Sequence, residues 1–190
     1  MNILIFSSSP NQDGLTAACA AAALEGVRAA GGEAEEIRLN DQGIGMCQAC
    51  NNGWGTCLED HICQVLDGFQ DVHRRALEAD ALILVTPVYW GEMSESAKAF
   101  TDRLRRCEAT RGDESGLKGK PVIAVAAAGG SGGGMITCLA SMERWIEHVR
   151  ARKWDLIPVN RWSREYKLVA IRSAAQAMTL AWQQEQPATR

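Results

Sequence analysis

Residues 2–16 read "NILIFSSSPNQDGLT" and decide the fold class of this chain. The short apolar run at 2–6 is typical of a strand buried on both faces of a sheet. Residues 14–30 are rich in strong helix formers, and the glycines at 31 and 32 end that pattern. The stretch therefore predicts a buried strand, a hydroxyl-rich turn without Lys or Arg, and a helix.

The same alternation of strand and helix continues along the chain. The pattern predicts further strands at 33–39, 81–85, 121–128 and 154–159, and helices at 61–79, 95–107, 135–152 and 163–184. Alternating elements imply parallel strands joined by right-handed crossovers. We therefore predict an α/β fold with a five-stranded parallel sheet and helices on both faces, in a single domain over residues 1–190.

The composition is that of an ordinary globular protein. Of the 190 residues, 46% are hydrophobic and 23% are charged, and the net charge is -3. No block of like charge stands out, so neither nucleic acid nor an acidic membrane surface is an expected partner. No apolar stretch approaches the roughly 20 residues that cross a bilayer, and no basic region precedes the first apolar run. We expect no membrane partner and a cytoplasmic location.

Three unusual loops, at 7–16, 86–93 and 128–134, each follow a predicted strand. In open parallel sheets, ligands bind beyond the carboxyl ends of the strands, where the strand order reverses. The first loop precedes a helix N-terminus, whose free N–H groups and dipole bind phosphate without a cationic side chain. Ser9 and Thr16 add hydroxyls there, and Gly14 allows close approach of the backbone. A capped strand-to-helix loop without a ligand is the alternative.

The second and third loops favour a flat ligand. Tyr89 and Trp90 follow a buried strand and can form a wall for a conjugated ring, with Gly91 beside them. Residues 129–134 contain five glycines, which can present backbone N–H groups to a ligand edge. The alternatives are aromatic packing at the sheet edge and a flexible surface turn. Together the three loops predict a flat ring with a phosphorylated tail, such as FMN.

Three segments carry a family resemblance: "SSPNQDGLT" (8–16), "TPVYWGEMSESAKAFTDRL" (86–104) and "AAGGSGGG" (127–134). They resemble the motifs of the flavodoxin-like NAD(P)H-dependent FMN reductases and their iron–sulfur flavoprotein relatives. The resemblance implies a flavodoxin-like three-layer sandwich with strand order 2-1-3-4-5 and bound FMN. It assigns Ser9, Asn11, Gly14, Leu15 and Thr16 to the phosphate, Pro87, Val88, Tyr89, Trp90 and Gly91 to the flavin, and Ala128, Gly129 and Gly130 to its other edge.

One position departs from the family pattern. The family often carries a basic residue where this chain has Asn11, and Asp13 adds a negative charge nearby. A carboxylate that faced the phosphate would weaken FMN binding by repulsion. We expect Asp13 to face solvent.

Four of the seven cysteines crowd together in the pattern C-x2-C-x6-C-x5-C. The stretch "CQACNNGWGTC" (47–57) resembles the iron–sulfur flavoproteins, whose pattern needs a cysteine near Gly53. Cys63 can take that place only if it lies outside the following helix. An iron–sulfur cluster, a structural zinc and a redox or simply reduced pair all remain open, and we predict no bound metal. The four cysteines are Cys47, Cys50, Cys57 and Cys63, while Cys19, Cys107 and Cys138 are interpreted as small buried hydrophobes.

The chain offers no obvious acid–base set. His61, His73 and His148 lie outside the three loops, and no Ser-His-Asp order is present. A flavin enzyme needs none, because the flavin carries the hydride chemistry, so no catalytic side chain is predicted.

We therefore expect an FMN-dependent oxidoreductase that takes electrons from NAD(P)H. The acceptor is a quinone, a free flavin, an azo or nitro compound, or a metal ion, and the family resemblance implies a homodimer or homotetramer. One alternative is an iron–sulfur flavoprotein electron carrier fed by ferredoxin. The other is a non-redox binding module of the same fold.

Overall fold

Five parallel strands and one short antiparallel strand form the central sheet of the computed structural model, which describes residues 1–185. The last five residues of the predicted domain, 186–190, lie outside the described part. The strands are β1 (Asn2–Ser7), β2 (Glu33–Arg38), β3 (Ala81–Tyr89), β4 (Glu92–Met93), β5 (Pro121–Ala128) and β6 (Arg152–Asn160). The parallel strands lie in the order β2-β1-β3-β5-β6, which confirms the predicted flavodoxin-like order 2-1-3-4-5.

Helices cover both faces of the sheet, as predicted. They are α1 (Leu15–Ala29), α2 (Phe69–Glu78), α3 (Glu95–Glu108), α4 (Met135–His148) and α5 (Arg164–Glu185). One apolar core lies between the sheet and the helices α1 and α5, and the other lies under α2, α3 and α4. Helix α1 can approach α5 closely because Gly26 lacks a side chain, and a Cβ there would lie 2.2 Å from the carbonyl oxygen of Arg172.

The three inner strands are almost wholly buried, whereas the two outer strands are not. In β1, β3 and β5 the apolar runs are covered on both faces, as expected of parallel strands between helix layers. The edge strand β2 exposes three glutamates, Glu33, Glu35 and Glu36. The opposite edge strand β6 alternates between exposed and covered residues and contains Pro158.

The helix predicted at 135–152 ends at His148, and Arg152 already belongs to β6, while two other predicted elements differ more strongly from the structure. The helix predicted at 61–79 begins only at Phe69, because Gly68 packs against the main chain of Gln42, where a Cβ would lie 1.8 Å from the carbonyl oxygen. Ile62 and Leu66, which lie within that predicted helix, are 59% and 87% exposed.

The second difference is at residues 86–93, predicted to be a loop. Strand β3 continues to Tyr89, turns at Trp90 and Gly91, and returns as β4, with Val88 opposite Met93. This hairpin adds a sixth strand to the five that the sequence predicts.

Within residues 1–185, none of the helices is both long enough and apolar enough to cross a membrane.

Candidate functional site

The three unusual loops meet at one edge of the sheet. Strands β1, β3 and β5 are neighbours and run parallel, so the segments that follow them leave the sheet side by side. Each segment leads into a helix on the far side of the loop. This is the edge at which open α/β sheets bind ligands.

The first loop ends at a helix N-terminus that no side chain caps. Helix α1 starts at Leu15, Gly14 is its N-cap residue, and its first turn contains no acidic residue. The hydroxyl oxygen of Ser9 accepts a hydrogen bond from the Asn11 N–H at 3.2 Å rather than capping the helix. The first N–H groups of α1 and the positive end of its dipole are therefore open to an anion.

The residues around that N-terminus are differently exposed. Thr16 is buried, Gly14 and Leu15 are half-buried, and Asn11 and Asp13 are exposed. Gly14 has φ −82° and ψ −172°, which any residue can adopt, and a Cβ there would lie 3.5 Å from the Asn11 Cβ. The protein itself therefore leaves room for a side chain at position 14, and the glycine keeps the helix N-terminus open.

The second loop is the tight turn of the β3–β4 hairpin. Trp90 and Gly91 have φ of +52° and +82°, as in the two-residue turns that match the twist of a hairpin. The left-handed conformation costs an L-residue about 1–2 kcal/mol. Trp90 is also wholly exposed, and the Tyr89 side chain is 39% exposed. A strained aromatic residue that packs against nothing is typical of a ligand-contacting turn.

The third loop packs directly against that turn. Gly134 has φ +78°, and a Cβ there would lie 2.7 Å from the Gly91 Cα. The Thr137 hydroxyl donates a hydrogen bond to the Gly91 carbonyl oxygen at 2.8 Å. An open groove of about 540 Å³ lies between the two loops, lined by Val88, Trp90, Gly91, Ser131, Gly133, Gly134 and Thr137.

The groove takes in only part of the predicted site. Val88, Trp90 and Gly91 line it, while Pro87 and Tyr89 belong to the same strand end outside the lining. Ala128 is the buried last residue of β5, and Gly129 and Gly130 are exposed beside it with open space around them. The predicted phosphate residues stay at the start of α1, outside this groove; they are Ser9, Asn11, Gly14, Leu15 and Thr16.

A buried hydroxyl network, which the sequence did not reveal, joins the first two loops. The Ser94 hydroxyl donates to the Ser8 carbonyl oxygen at 2.9 Å, and the Ser94 N–H donates to the Thr86 hydroxyl oxygen at 3.0 Å. Ser94 also caps α3 by accepting from the Ala97 N–H. All three hydroxyl residues are buried, so they hold the first loop and the hairpin in fixed positions. The sequence offered one signal for this network, because Ser94 directly precedes the helical pattern at 95–107, where a capping residue is expected.

The four clustered cysteines line one small cavity away from the groove. Cys47, Cys50, Cys57 and Cys63 are half-buried free thiols around a space of about 20 Å³. Because α2 begins at Phe69, Cys63 lies outside the helix, which was the condition for it to join the cluster. Within residues 1–185, no three Cys, His, Asp or Glu side chains converge closely enough to hold a single metal ion.

Two arginines of α3 complete the wall of this cysteine cavity. Arg103 is 1% exposed and donates to the Asp67 carboxylate at 2.7 Å and to the carbonyl oxygens of Gly45 and Val65. Arg106 is half-buried, with its guanidinium 4.1 Å from the centre of the Trp54 ring. The Nε–H of each arginine is buried and finds no hydrogen-bond partner within the described chain.

Arg103 and Asp67 each stabilise the charged form of the other. Burial alone would lower the pKa of Arg103, but the Asp67 hydrogen bond and the nearby Cys63 thiol raise it. Burial alone would raise the pKa of Asp67, but hydrogen bonds from Arg103, Gly45 and Phe69 lower it. Both groups therefore stay charged at neutral pH.

The three remaining cysteines lie in the core, as predicted. Cys19, Cys107 and Cys138 are fully buried. Burial raises the pKa of each thiol to about 12. These thiols stay protonated at neutral pH and pack as small apolar groups.

Sequence comparisons identify the family and several relatives. The family model described as NADPH-dependent FMN reductase matches residues 1–152. An iron–sulfur flavoprotein of Methanocaldococcus jannaschii is 33% identical over 105 residues, which are 55% of this chain and 52% of that protein. An iron–sulfur flavoprotein of Methanosarcina thermophila is 28% identical over 149 residues, 77% of this chain and 73% of that protein. The match therefore spans only about half the length of the Methanocaldococcus relative.

Solved structures share the fold at low sequence identity. The structure of RosB with bound 8-demethyl-8-formylriboflavin-5'-phosphate has a TM-score of 0.74 at 16% identity, over 100% of this chain and 82% of that one. The NAD(P)H:quinone oxidoreductase of Methanothermobacter marburgensis has a TM-score of 0.69 at 18% identity, over 94% and 96% of the two chains. These matches agree with the flavodoxin-like strand order described above.

Proposed function

Since the chain belongs to the NADPH-dependent FMN reductase family, we propose that it is an FMN-dependent oxidoreductase that passes electrons from NAD(P)H to a small acceptor. Quinones, free flavins, azo or nitro compounds and metal ions are the acceptor classes. Bound FMN supplies the hydride and electron chemistry, and the residues of the chain bind and orient it.

The observation that carries the proposal is the uncapped start of α1 beside the groove. FMN needs a site for a phosphate and a site for a flat ring, and the sheet edge offers both. The open N–H groups of α1 donate hydrogen bonds to the phosphate, together with the side chains of the first loop. The phosphate residues are those of the sequence prediction: Ser9, Asn11, Gly14, Leu15 and Thr16.

The hairpin turn and the third loop provide the ring site. Trp90 has an exposed ring that gains contact only if a ligand covers it, and its strained backbone keeps it projecting from the turn. The ring-lining residues are Pro87, Val88, Tyr89, Trp90 and Gly91 on one side and Ala128, Gly129 and Gly130 on the other. The groove stays open to solvent on its outer side, so a second planar molecule can reach the ring.

The test is the visible absorption spectrum of anaerobically purified protein before and after NADPH is added. A two-banded flavin spectrum that bleaches supports the proposal. A colourless protein that takes up no added FMN contradicts it and favours the non-redox binding module.

Substitutions then test the ring site. We expect Trp90→Ala and Tyr89→Ala each to lower FMN affinity by about fivefold or more, because each removes aromatic stacking worth about 1 kcal/mol or more. Leu180→Ala is the matched control, since it removes an exposed apolar side chain from the far end of α5. Unchanged FMN content and turnover in both aromatic variants contradict the ring site.

The cysteine cavity favours a second candidate function, that of an iron–sulfur flavoprotein electron carrier. The donor set fits, because four thiols and two arginines with unpaired N–H donors suit an anionic cluster. A cluster spreads its thiolates over several irons, so the sulfurs need not converge on one point. The ligands would be Cys47, Cys50, Cys57 and Cys63.

Binding a cluster requires the loop around the cavity to open. The cavity of about 20 Å³ has room for roughly one water molecule. Four residues of this loop, Ala49, Asn51, Asn52 and His61, hold a left-handed backbone conformation. These residues lie outside the α-helices and strands, so opening of the loop leaves the sheet and its helices intact.

Iron and sulfide content of the anaerobically purified protein tests this candidate. Iron that disappears in Cys63→Ser, together with no oxidation of NADPH, favours the electron carrier. Flavin without iron, together with NADPH oxidation, favours the reductase. Cys138→Ser is the control, because that thiol is buried under α4, away from the cysteine cavity.

We also propose a cytoplasmic location and assembly as a homodimer or homotetramer. Light scattering of the FMN-loaded protein measures the assembly state directly, and a monomer at micromolar concentration contradicts the second part.

A further inference from the structure

The two arginines of the cysteine cavity have donors that the protein does not use. Arg103 places both of its terminal nitrogens on protein oxygens, yet its Nε–H is left without a partner. Arg106 has the same unpaired Nε–H and also lines the cavity. A buried donor without an acceptor costs about 1–3 kcal/mol, so a protein that keeps two at one cavity needs an explanation.

The surroundings indicate which acceptor is missing. The other side chains of the cavity wall supply four sulfur atoms, and sulfur becomes a good acceptor only when it is negatively charged. Arg103 is already balanced by Asp67, whereas Arg106 lies over the Trp54 ring. Within residues 1–185, Arg106 forms no ion pair with a carboxylate, so it is the arginine of the cavity wall whose charge is left to balance an anion there.

We propose that Arg103 and Arg106 are positioning residues that donate Nε–H hydrogen bonds to the sulfur atoms of a cysteine-held iron–sulfur cluster and raise its reduction potential. The inference rests on the second candidate function. Reduction adds a negative charge to the cluster, and a cation with a directed donor stabilises the reduced form more than the oxidised form. Both arginines belong to helix α3, which is not part of the loop that opens.

The experiment uses the full chain purified anaerobically and compares Arg106→Gln with wild type. The midpoint potential of the cluster is measured by a dye-mediated titration followed by electron paramagnetic resonance. We expect the ratio of reduced to oxidised cluster at a fixed potential to fall about tenfold, which is about 59 mV for one electron. Arg106→Lys keeps the charge but not the Nε–H, and it should shift the ratio in the same direction by a smaller factor.

Arg105→Gln is the matched control. It removes the same charge from the adjacent position of α3, but Arg105 faces the groove toward α4 rather than the cysteine cavity. We expect it to shift the ratio less than twofold.

The possible outcomes separate this inference from the function on which it rests. Wild-type protein that binds no iron overturns both. Iron-loaded Arg106→Gln protein with the wild-type potential overturns only the role of the arginines. If Arg106→Gln binds no iron, Arg106→Lys decides: a lowered potential supports the role, and an unchanged potential overturns it.

Discussion

The three loops at the sheet edge continue directly from buried strands, whereas the cysteine segment, residues 42–68, lies between β2 and α2 with one short 3-10 turn. At the sheet edge, the backbone of regular elements fixes each residue. In the cysteine segment, side chains fix the residues instead. The buried guanidinium of Arg103 donates hydrogen bonds to Gly45, Val65 and Asp67 and so holds the segment together.

The two regions therefore differ in how much of the structure a single substitution affects. A change at the sheet edge acts on a local turn and leaves the strands in place. A change at Arg103 removes the anchor of a whole segment that already contains four left-handed non-glycine residues. The sheet edge therefore keeps its shape through the backbone of regular elements, whereas the shape of the cysteine segment depends on one buried side chain.

The largest effect should come from Arg103→Ala. Removing one partner of a buried, hydrogen-bonded ion pair costs about 3–5 kcal/mol, and Asp67 is left without its cation. We expect a loss of that size in the free energy of unfolding, measured by urea denaturation. Amide exchange should rise in the cysteine segment well before it rises in β1 and β3.

The control for that comparison is Arg105→Ala on the same helix, which should change stability by less than about 1 kcal/mol. Equal losses in the two variants would show that the cysteine segment has no special dependence on Arg103.

A medium effect is expected at the sheet edge from Gly134→Ala. The new Cβ meets the Gly91 Cα at 2.7 Å, and position 134 has a left-handed φ. We expect a loss of about 2 kcal/mol in apo-protein stability and a displaced hairpin turn, which weakens FMN binding. Gly129→Ala in the same loop meets no atom within 4 Å and should leave apo-protein stability within about 0.5 kcal/mol. Equal thermal midpoints for the two variants would contradict the packing of the third loop on the hairpin.

The smallest effect, and one of opposite sign, is expected from Trp90→Gly. Glycine relieves the left-handed strain at φ +52°, and the exposed ring gives up no buried area. The free energy of unfolding of the apo-protein should rise by about 1 kcal/mol or less, because the extra freedom of glycine in the unfolded chain offsets part of the gain. FMN affinity should fall in the same variant. A variant that is less stable without FMN would show that the ring packs on the protein itself.

The sheet was predicted well because strands buried on both faces have short, continuous apolar runs in their sequence. All five predicted strands are present, and their order is the one that the family resemblance implied. The three loops at the sheet edge follow from the same order. The groove between Gly91 and Gly134 was not predictable, because it depends on a contact between two glycines 43 residues apart in sequence.

The cysteine segment was harder to predict for physical reasons. Ile62 and Leu66 have helical spacing but face solvent, and the true start of α2 is set by the contact between Gly68 and Gln42. An arginine in a charged helix such as α3 is normally expected at the surface. Only the folded chain shows that Arg103 points inward while Arg105 does not.

The two edges of the sheet bear on how copies of this chain can associate. β2 presents Glu33, Glu35 and Glu36, so two such edges repel each other, and Pro158 interrupts the free row of N–H donors on β6. These features disfavour strand pairing between two β2 edges or two β6 edges of neighbouring copies. We therefore expect any assembly of copies to use helices and loops, which also disfavours the open-ended strand stacking that leads to fibres.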